Sequence, residues 1–370
     1  MSGTSADGVD VAVCELGGDP AGPWGRLIHH SARPYPEPLK ARIWRLRMEA
    51  VVALGELADV TRQLTLEHAM AVRDALRDAG RTAEDVTAVA DHGQTVFHAP
   101  PSTMQLLDPS LLAAEVGVGV VSDFRRADLA AGGQGAPLVP LADRRLFAHP
   151  TRTRILLNLG GIANVTVLRA GDAPLAFDTG PANCLSDYIC RTLAPETGGV
   201  DVGGERAQRG RVDDGVVARF LAEPFVVAPP PKSTDGPAMV AAFERACGGF
   251  AGWRIEDLLA TAAACVGASV GHAVRTWGSG RSSGGAVDLV LSGGGVHNAA
   301  VVRRLGEACP GAVLLRSDEL GVPSAAREAI AFALLGLATL QGRAGNVPSA
   351  TGAGSAVVLG SWTPPPEPAE

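Results

Sequence analysis

Aromatic residues supply only 4% of this 370-residue chain, basic residues form no dense run, and no two cysteines stand at C-x-x-C spacing. Each shortage excludes something. With 39 acidic residues against 32 basic ones and a net charge of −7, nucleic acid is a poor partner. The six cysteines (Cys14, Cys184, Cys190, Cys247, Cys265, Cys309) show neither a zinc spacing nor a disulfide framework. They read as small buried hydrophobes in a reducing cytoplasm. The N-terminus has no basic region followed by an apolar one, so export is not expected. The most apolar stretch, residues 258–274, is broken by small residues and by His272, and reads as too short to cross a bilayer. What the chain has instead is 46% hydrophobic residues, 46 glycines and 26 prolines. That is the profile of a turn-rich α/β protein cored by Ala, Val and Leu, and its length gives two domains or one large unit.

Short β-like runs alternate with helical patterns along the sequence. Strands are expected over 9–16, towards Asp91, over 118–124, 154–159, 163–168 and 287–291, and ending at Leu314. Leu54, Leu57, Val60, Leu64, Ala69, Val72 and Leu76 share a helical face, Thr82 and Asp85 signal a short helix, and helices follow over 256–277 and 325–340. After Leu359 the prolines at 364, 365, 366 and 368 predict a tail that does not pack. A loose duplication is visible: a Gly-rich turn precedes a strand near Gly3 and again near Gly160. Two such turns are suited to gripping a polyphosphate.

The first turn, Gly3, Thr4, Ser5, Ala6, Asp7, Gly8, Val9 and Asp10, combines close backbone approach with hydroxyl donors. Its carboxylates suit phosphate only with a divalent cation between them, which makes Asp7 a candidate Mg²⁺ ligand. No Walker lysine follows, and a structural turn opening a hairpin is the plainer alternative. The second turn, NLGGIAN, holds Asn158, Gly160 and Gly161, and reads equally as a tight hairpin. In SGGGVHN, a strand runs through Gly293, Gly294 and Gly295 to a helix starting near Asn298, an arrangement that serves nucleotides. In FDTGPAN, Asp178 is expected at a strand end, placed as a general base or as a turn cap. Arg125 and Arg126 beside Asp123 and Asp128 would take an anionic substrate group or form structural ion pairs. Glu328 falls on an apolar helix, where burial would demand a partner. His92 and His98 lack further ligands for zinc.

In this order, SGTSADGVD, DHGQTVFH, DFRRADLAAGGQGAPLVP, NLGGIANVT, FDTGPANCLSD, SGGGVHN, SDELGVPSAAREAIAFALL and NVPSATGA resemble the anhydro-N-acetylmuramic acid kinases of cell-wall recycling, from Gly3 to about Gly352. The resemblance implies a two-lobed actin-like ATPase fold, related to ribonuclease H, with the active-site cleft between lobes. It implies lobes at 1–130, with helix 325–340 packed back on it, and at 131–360, then a Pro-rich tail at 361–370. It implies ATP and Mg²⁺, with Asp178 as base, the three Gly-rich segments on ATP, and His92, Thr95, Arg125 and Glu328 on the sugar. The implied reaction is attack of water on the anomeric carbon of the 1,6-anhydro sugar while O6 takes the γ-phosphoryl of ATP, giving N-acetylmuramic acid 6-phosphate and ADP. A homodimer in the cytoplasm, without membrane or nucleic-acid partners, is also implied. The chain departs from the family in three places. It reads Met1-Ser2-Gly3 where relatives carry a leading strand, Leu107 where Gly is usual, and Lys232-Ser233-Thr234-Asp235-Gly236 in the Lys-Ser-Thr-Gly segment.

Overall fold

The computed structural model describes residues 1–2, 6–19, 22–49, 51–195, 198–278 and 286–366. Gly3, Thr4 and Ser5 of the first turn lie outside them. Among the described residues there are twelve strands: β1 (Gly8–Leu16), β2 (Gly25–Pro34), β3 (Val89–Ala90), β4 (Gln94–Ala99), β5 (Ser102–Leu106), β6 (Val120–Ser122), β7 (Thr153–Leu159), β8 (Ile162–Leu168), β9 (Leu175–Pro181), β10 (Val287–Ser292), β11 (Ala312–Arg316) and β12 (Ser361–Thr363). Contacts divide the α/β chain into two units, Met1–Leu146 with Ala325–Glu370, and Phe147–Ser324. The boundary therefore lies after Leu146, not after residue 130, and the chain returns to the first unit from Ala325 onward.

In the first unit β1 and β2 form an antiparallel pair, β4 and β5 another, and β12-β6-β3 a third sheet. The Leu54–Asp78 helix buries Val60, Leu64, His68, Val72 and Leu76, a strict every-fourth spacing that keeps one stripe inward. Gly80, at φ +64°, ends it by a left-handed turn in which Arg81 N–H reaches Leu76 O. The Arg327–Leu340 helix buries Ala329, Phe332 and Leu335 against Val121 and Phe124. The expectation of a loose tail fails at its start. Ser361–Thr363 pairs antiparallel with β6, and a Cβ on Gly119 would stand 2.1 Å from the Trp362 ring, so that glycine makes room for the strand.

In the second unit the sheet order is β11-β10-β7-β8-β9, with β11, β10 and β7 parallel and β7, β8 and β9 antiparallel. Ile155, Leu157 and Leu159 of β7 and Leu289 and Leu291 of β10 enter one core with the Ile255–Ala273 helix. By length and composition residues 255–278 are sufficient to cross a membrane, correcting the shorter reading of 258–274. Most of that segment is buried inside the unit, where it serves as a core helix.

Candidate functional site

In the second unit the hairpin turn Gly160-Gly161 joins β7 to β8. Gly160 O accepts from Asn183 N–H at 3.0 Å, and Gly161 O from Ala182 N–H at 3.0 Å and Cys184 N–H at 3.1 Å. The turn is thereby pinned to the start of the Asn183–Leu193 helix, satisfying donors that the helix cannot satisfy itself. A trans peptide points its C=O and N–H in opposite directions, so the Gly161 N–H faces away from that helix. A Cβ on Gly161 would meet nothing within 4 Å. One side of the turn is thus bound and the other open.

The three glycines after β10 divide in the same way. Gly293 sits at φ +82°, and a Cβ there would lie 2.5 Å from Asn158 Oδ1 and 2.8 Å from Leu159 O. On Gly295 it would lie 2.7 Å from Leu159 Cβ. Both are glycine so that this segment can pack on the hairpin. Gly294 is exposed, with no atom nearer than 3.8 Å to the same position. Asn298 caps the Ala299–Ala308 helix, its Oδ1 accepting Val301 N–H at 3.1 Å.

Asp178 lies within β9 and not at its end, because pairing with β8 continues to Pro181. Between Ala163↔Gly180 and Asn164↔Asp178 the register shifts, leaving Thr179 as the extra residue of a bulge. Bulges re-aim neighbouring side chains, and this one adjoins Asp178. The half-buried carboxyl accepts Thr234 N–H at 2.9 Å, while its own N–H donates to Lys232 O at 3.1 Å. Burial raises the carboxyl above its ordinary value; the Thr234 bond and the Lys232 charge oppose this without cancelling it. Lys232 Nζ donates to Phe225 O at 2.9 Å and Val226 O at 2.8 Å, and stands 4.8 Å from the Phe225 ring centre. The sequence reading left the segment 232–236 without a role. Its lysine, out of place after three prolines, was the available signal.

In the first unit Met1 and Asp10 exchange two backbone hydrogen bonds of 2.8 and 2.9 Å, closing the neck of the first turn. Ser2 Oγ lies 3.0 Å from Gly8 O and 2.6 Å from Gln94 Oε1. A buried chain supports it: Tyr35 O–H donates to Ser2 Oγ at 2.9 Å, Tyr35 Oη is 2.8 Å from His68 Nε2, and His68 Nδ1 is 2.6 Å from Asp91 Oδ2. Burial pushes the Asp91 carboxyl up, but His68 beside it outweighs this and holds it well below the usual range. Neither His68 nor Tyr35 was a sequence candidate. Ala6 is buried at φ +55°, and Val9 is buried in β1. The Asp7 carboxyl is 69% exposed and 3.5 Å from Lys40 Nζ. Magnesium carried on polyphosphate takes only one or two protein carboxylates, and Asp7 is a donor of that kind. Among the described residues no three His, Cys, Asp or Glu side chains gather as a metal centre.

The structure brings His92 and Arg125 together. Arg125 Nε–H donates to His92 Nε2 at 2.9 Å, and His92 Nδ1–H donates to Gly93 O at 2.9 Å. Both ring nitrogens are thus used, and the imidazole, 3% exposed, supports Arg125. Burial and the Arg125 charge lower its pKa to about 3. Arg125 Nη1 also donates to Gly135 O at 2.8 Å. Arg126 instead pairs with Asp123 at 3.2 Å on the surface, the structural alternative. Glu328 is exposed, yet the protein crowded around it raises its carboxyl. It and Arg125 act on one another through space. Thr95 is buried on β4, its Oγ1 accepting from Gln105 Nε2 at 3.3 Å.

A family model described as "Anhydro-N-acetylmuramic acid kinase" matches residues 1–365. A protein of that name from Gloeobacter violaceus is 38% identical over 374 residues, covering 98% of this chain and 97% of the relative. Another, from Streptomyces coelicolor, is 40% identical over 378 residues, covering 100% of this chain and 93% of the relative. Among solved structures, the activator of the 2-hydroxyisocaproyl-CoA dehydratase from Clostridium difficile with bound ADPNP is similar at 14% identity, over 75% of this chain and 83% of that one, with a TM-score of 0.37. Matched along nearly its whole length by the family model and by both relatives, the chain belongs to the anhydro-N-acetylmuramic acid kinase family.

Proposed function

We propose that this chain is an ATP-dependent kinase that opens 1,6-anhydro-N-acetylmuramic acid with water and phosphorylates O6, yielding N-acetylmuramic acid 6-phosphate and ADP. The observation that carries the reading is Asp178, a carboxylate beside a β-bulge, fixed by one backbone N–H and raised by burial. A raised pKa makes a carboxylate a better proton acceptor. Asp178 takes the proton of the attacking water. The outward Gly161 N–H and the open face of Gly294 meet ATP, in keeping with backbone donors at phosphate and nucleotide sites. Asn158, Gly160, Gly293, Gly295 and Asn298 shape those two segments. Asp7 holds Mg²⁺, which neutralises phosphate charge when bound. Arg125, with protons left on Nη1 and Nη2, receives the lactyl carboxylate of the sugar, and Glu328 and Thr95 contribute to the same pocket. Cell-wall recycling in the cytoplasm is the setting in which such a product is used.

The test is mass spectrometry of products from anhydro-N-acetylmuramic acid and Mg-ATP. A sugar phosphate formed together with ADP supports the reading. Release of ADP with the anhydro sugar unchanged overturns it.

A further inference from the structure

Asp128 is wholly buried on the short Arg126–Ala130 helix, and hydrogen-bond donors surround its carboxyl. Gly135 N–H donates to Oδ2 at 2.7 Å; Asn346 Nδ2–H and Thr351 O–H each donate to Oδ1 at 2.7 Å. Burying a carboxyl is costly unless hydrogen bonds replace its water, and three do so here. The backbone repeats the connection: Gln134 N–H donates to Thr351 O and Gly354 N–H to Ala131 O, both at 2.8 Å. A Cβ on Gly133 would stand 2.2 Å from Asp128 Oδ2, so the loop closes on the carboxyl without space to spare. Two motifs that the sequence reading left without a role, GGQGAP and NVPSATGA, therefore meet on one side chain.

The far side of that loop is Gly135, at φ +67°, whose N–H is held by Asp128 and whose C=O takes Arg125 Nη1–H at 2.8 Å. We propose that Asp128 is a positioning residue for Arg125, acting through Gly135, with Asn346 and Thr351 as its anchors. This rests on the reading of Arg125 as the receptor of the sugar carboxylate. Arginine has a long side chain whose rotamer freedom is lost on binding, and a carboxylate rewards a guanidinium already aimed. His92 fixes Nε and Gly135 fixes Nη1, so a displaced Gly135 frees one of the two.

The experiment measures dissociation constants of anhydro-N-acetylmuramic acid and of Mg-ATP by calorimetry, with thermal melts, for Arg125→Ala, Asp128→Asn and Thr351→Val. Arg125→Ala should weaken the sugar about 10- to 100-fold, the loss of a charge-assisted pair. Asp128→Asn turns an NH₂ towards a donor and should weaken the sugar about 10-fold, leaving Mg-ATP unchanged. Thr351→Val, which removes one donor, should weaken it about 3-fold. Should Arg125→Ala weaken the sugar while folded Asp128→Asn and Thr351→Val bind it normally, Asp128 merely holds the fold and the proposal is overturned. Should Arg125→Ala itself bind normally, the reading of Arg125 fails and takes the proposal with it. Should Asp128→Asn not fold, the milder Thr351→Val decides between the same two results.

Discussion

In Phe147–Ser324 the candidate site is made of backbone: a Gly-Gly turn bound on one side, a glycine segment seated on the hairpin, and Asp178 held by one N–H. In Met1–Leu146 with Ala325–Glu370 it is made of side chains, with Arg125 tied to His92 and Gly135, and Asp128 behind them. The difference follows the chemistry each would serve. Backbone N–H groups at glycine approach a polyphosphate closely and make no demand on rotamers. A sugar carboxylate needs a planar fork held in one orientation, and such a fork must be braced. Backbone sites should therefore fail by steric overlap and side-chain sites by loss of aim or protonation.

Asp178 is where the comparison is most exposed. Asp178→Asn retains the Thr234 bond but cannot take a proton, so turnover should fall about 10²- to 10⁴-fold with binding of ATP and sugar retained. Near-normal turnover in a folded variant would make Asp178 a structural member of its bulge. A steric contrast comes next. Gly295→Ala places a Cβ 2.7 Å from Leu159 Cβ and should cost about 1–3 kcal/mol in urea denaturation. Gly294→Ala, in open space, should change stability by less than about 0.5 kcal/mol and raise the KM for ATP. Equal losses from the two would remove the distinction between packing and open glycines.

The side-chain unit should respond to acid through His92. Its pKa falls from 6.5 to about 3 on folding, so between those values the unfolded chain binds a proton that the folded chain refuses. Its contribution is complete above pH 6.5 and declines as the pH drops towards 3. Going from pH 7 to pH 5 should cost about 2 kcal/mol. His92→Gln, which keeps an acceptor for Arg125 Nε–H, should lose that part of the pH dependence in denaturation curves. An unchanged dependence would mean that His92 titrates normally.

Much of this was legible in the sequence, because periodicity and glycine spacing are local. The hairpin 154–168, the strand before Gly293, the Asn298 cap and the helix ending near Leu340 follow from residues a few positions apart. What stayed hidden depends on distant chain. Trp362 belongs to a strand only because Val120–Ser122 is its partner, and the four prolines beyond it masked the fact. Asp178 looked terminal because Gly180-Pro181 follows, yet β8 continues the pairing as far as Pro181. The bond between His92 and Arg125 joins residues 33 positions apart, which no local pattern announces. Glu328 has apolar neighbours in the sequence, yet it is exposed in the first turn of its helix.

The central claim is that this kinase uses water to open the anhydro bond, with Asp178 as the base. Turnover of anhydro-N-acetylmuramic acid and Mg-ATP in ¹⁸O-labelled water measures it directly. The account predicts one labelled oxygen at C1 of the sugar phosphate, formed by the wild-type protein and slowed about 10²- to 10⁴-fold by Asp178→Asn. A phosphorylated sugar without label at C1, or labelled product formed at an unchanged rate by Asp178→Asn, would contradict it.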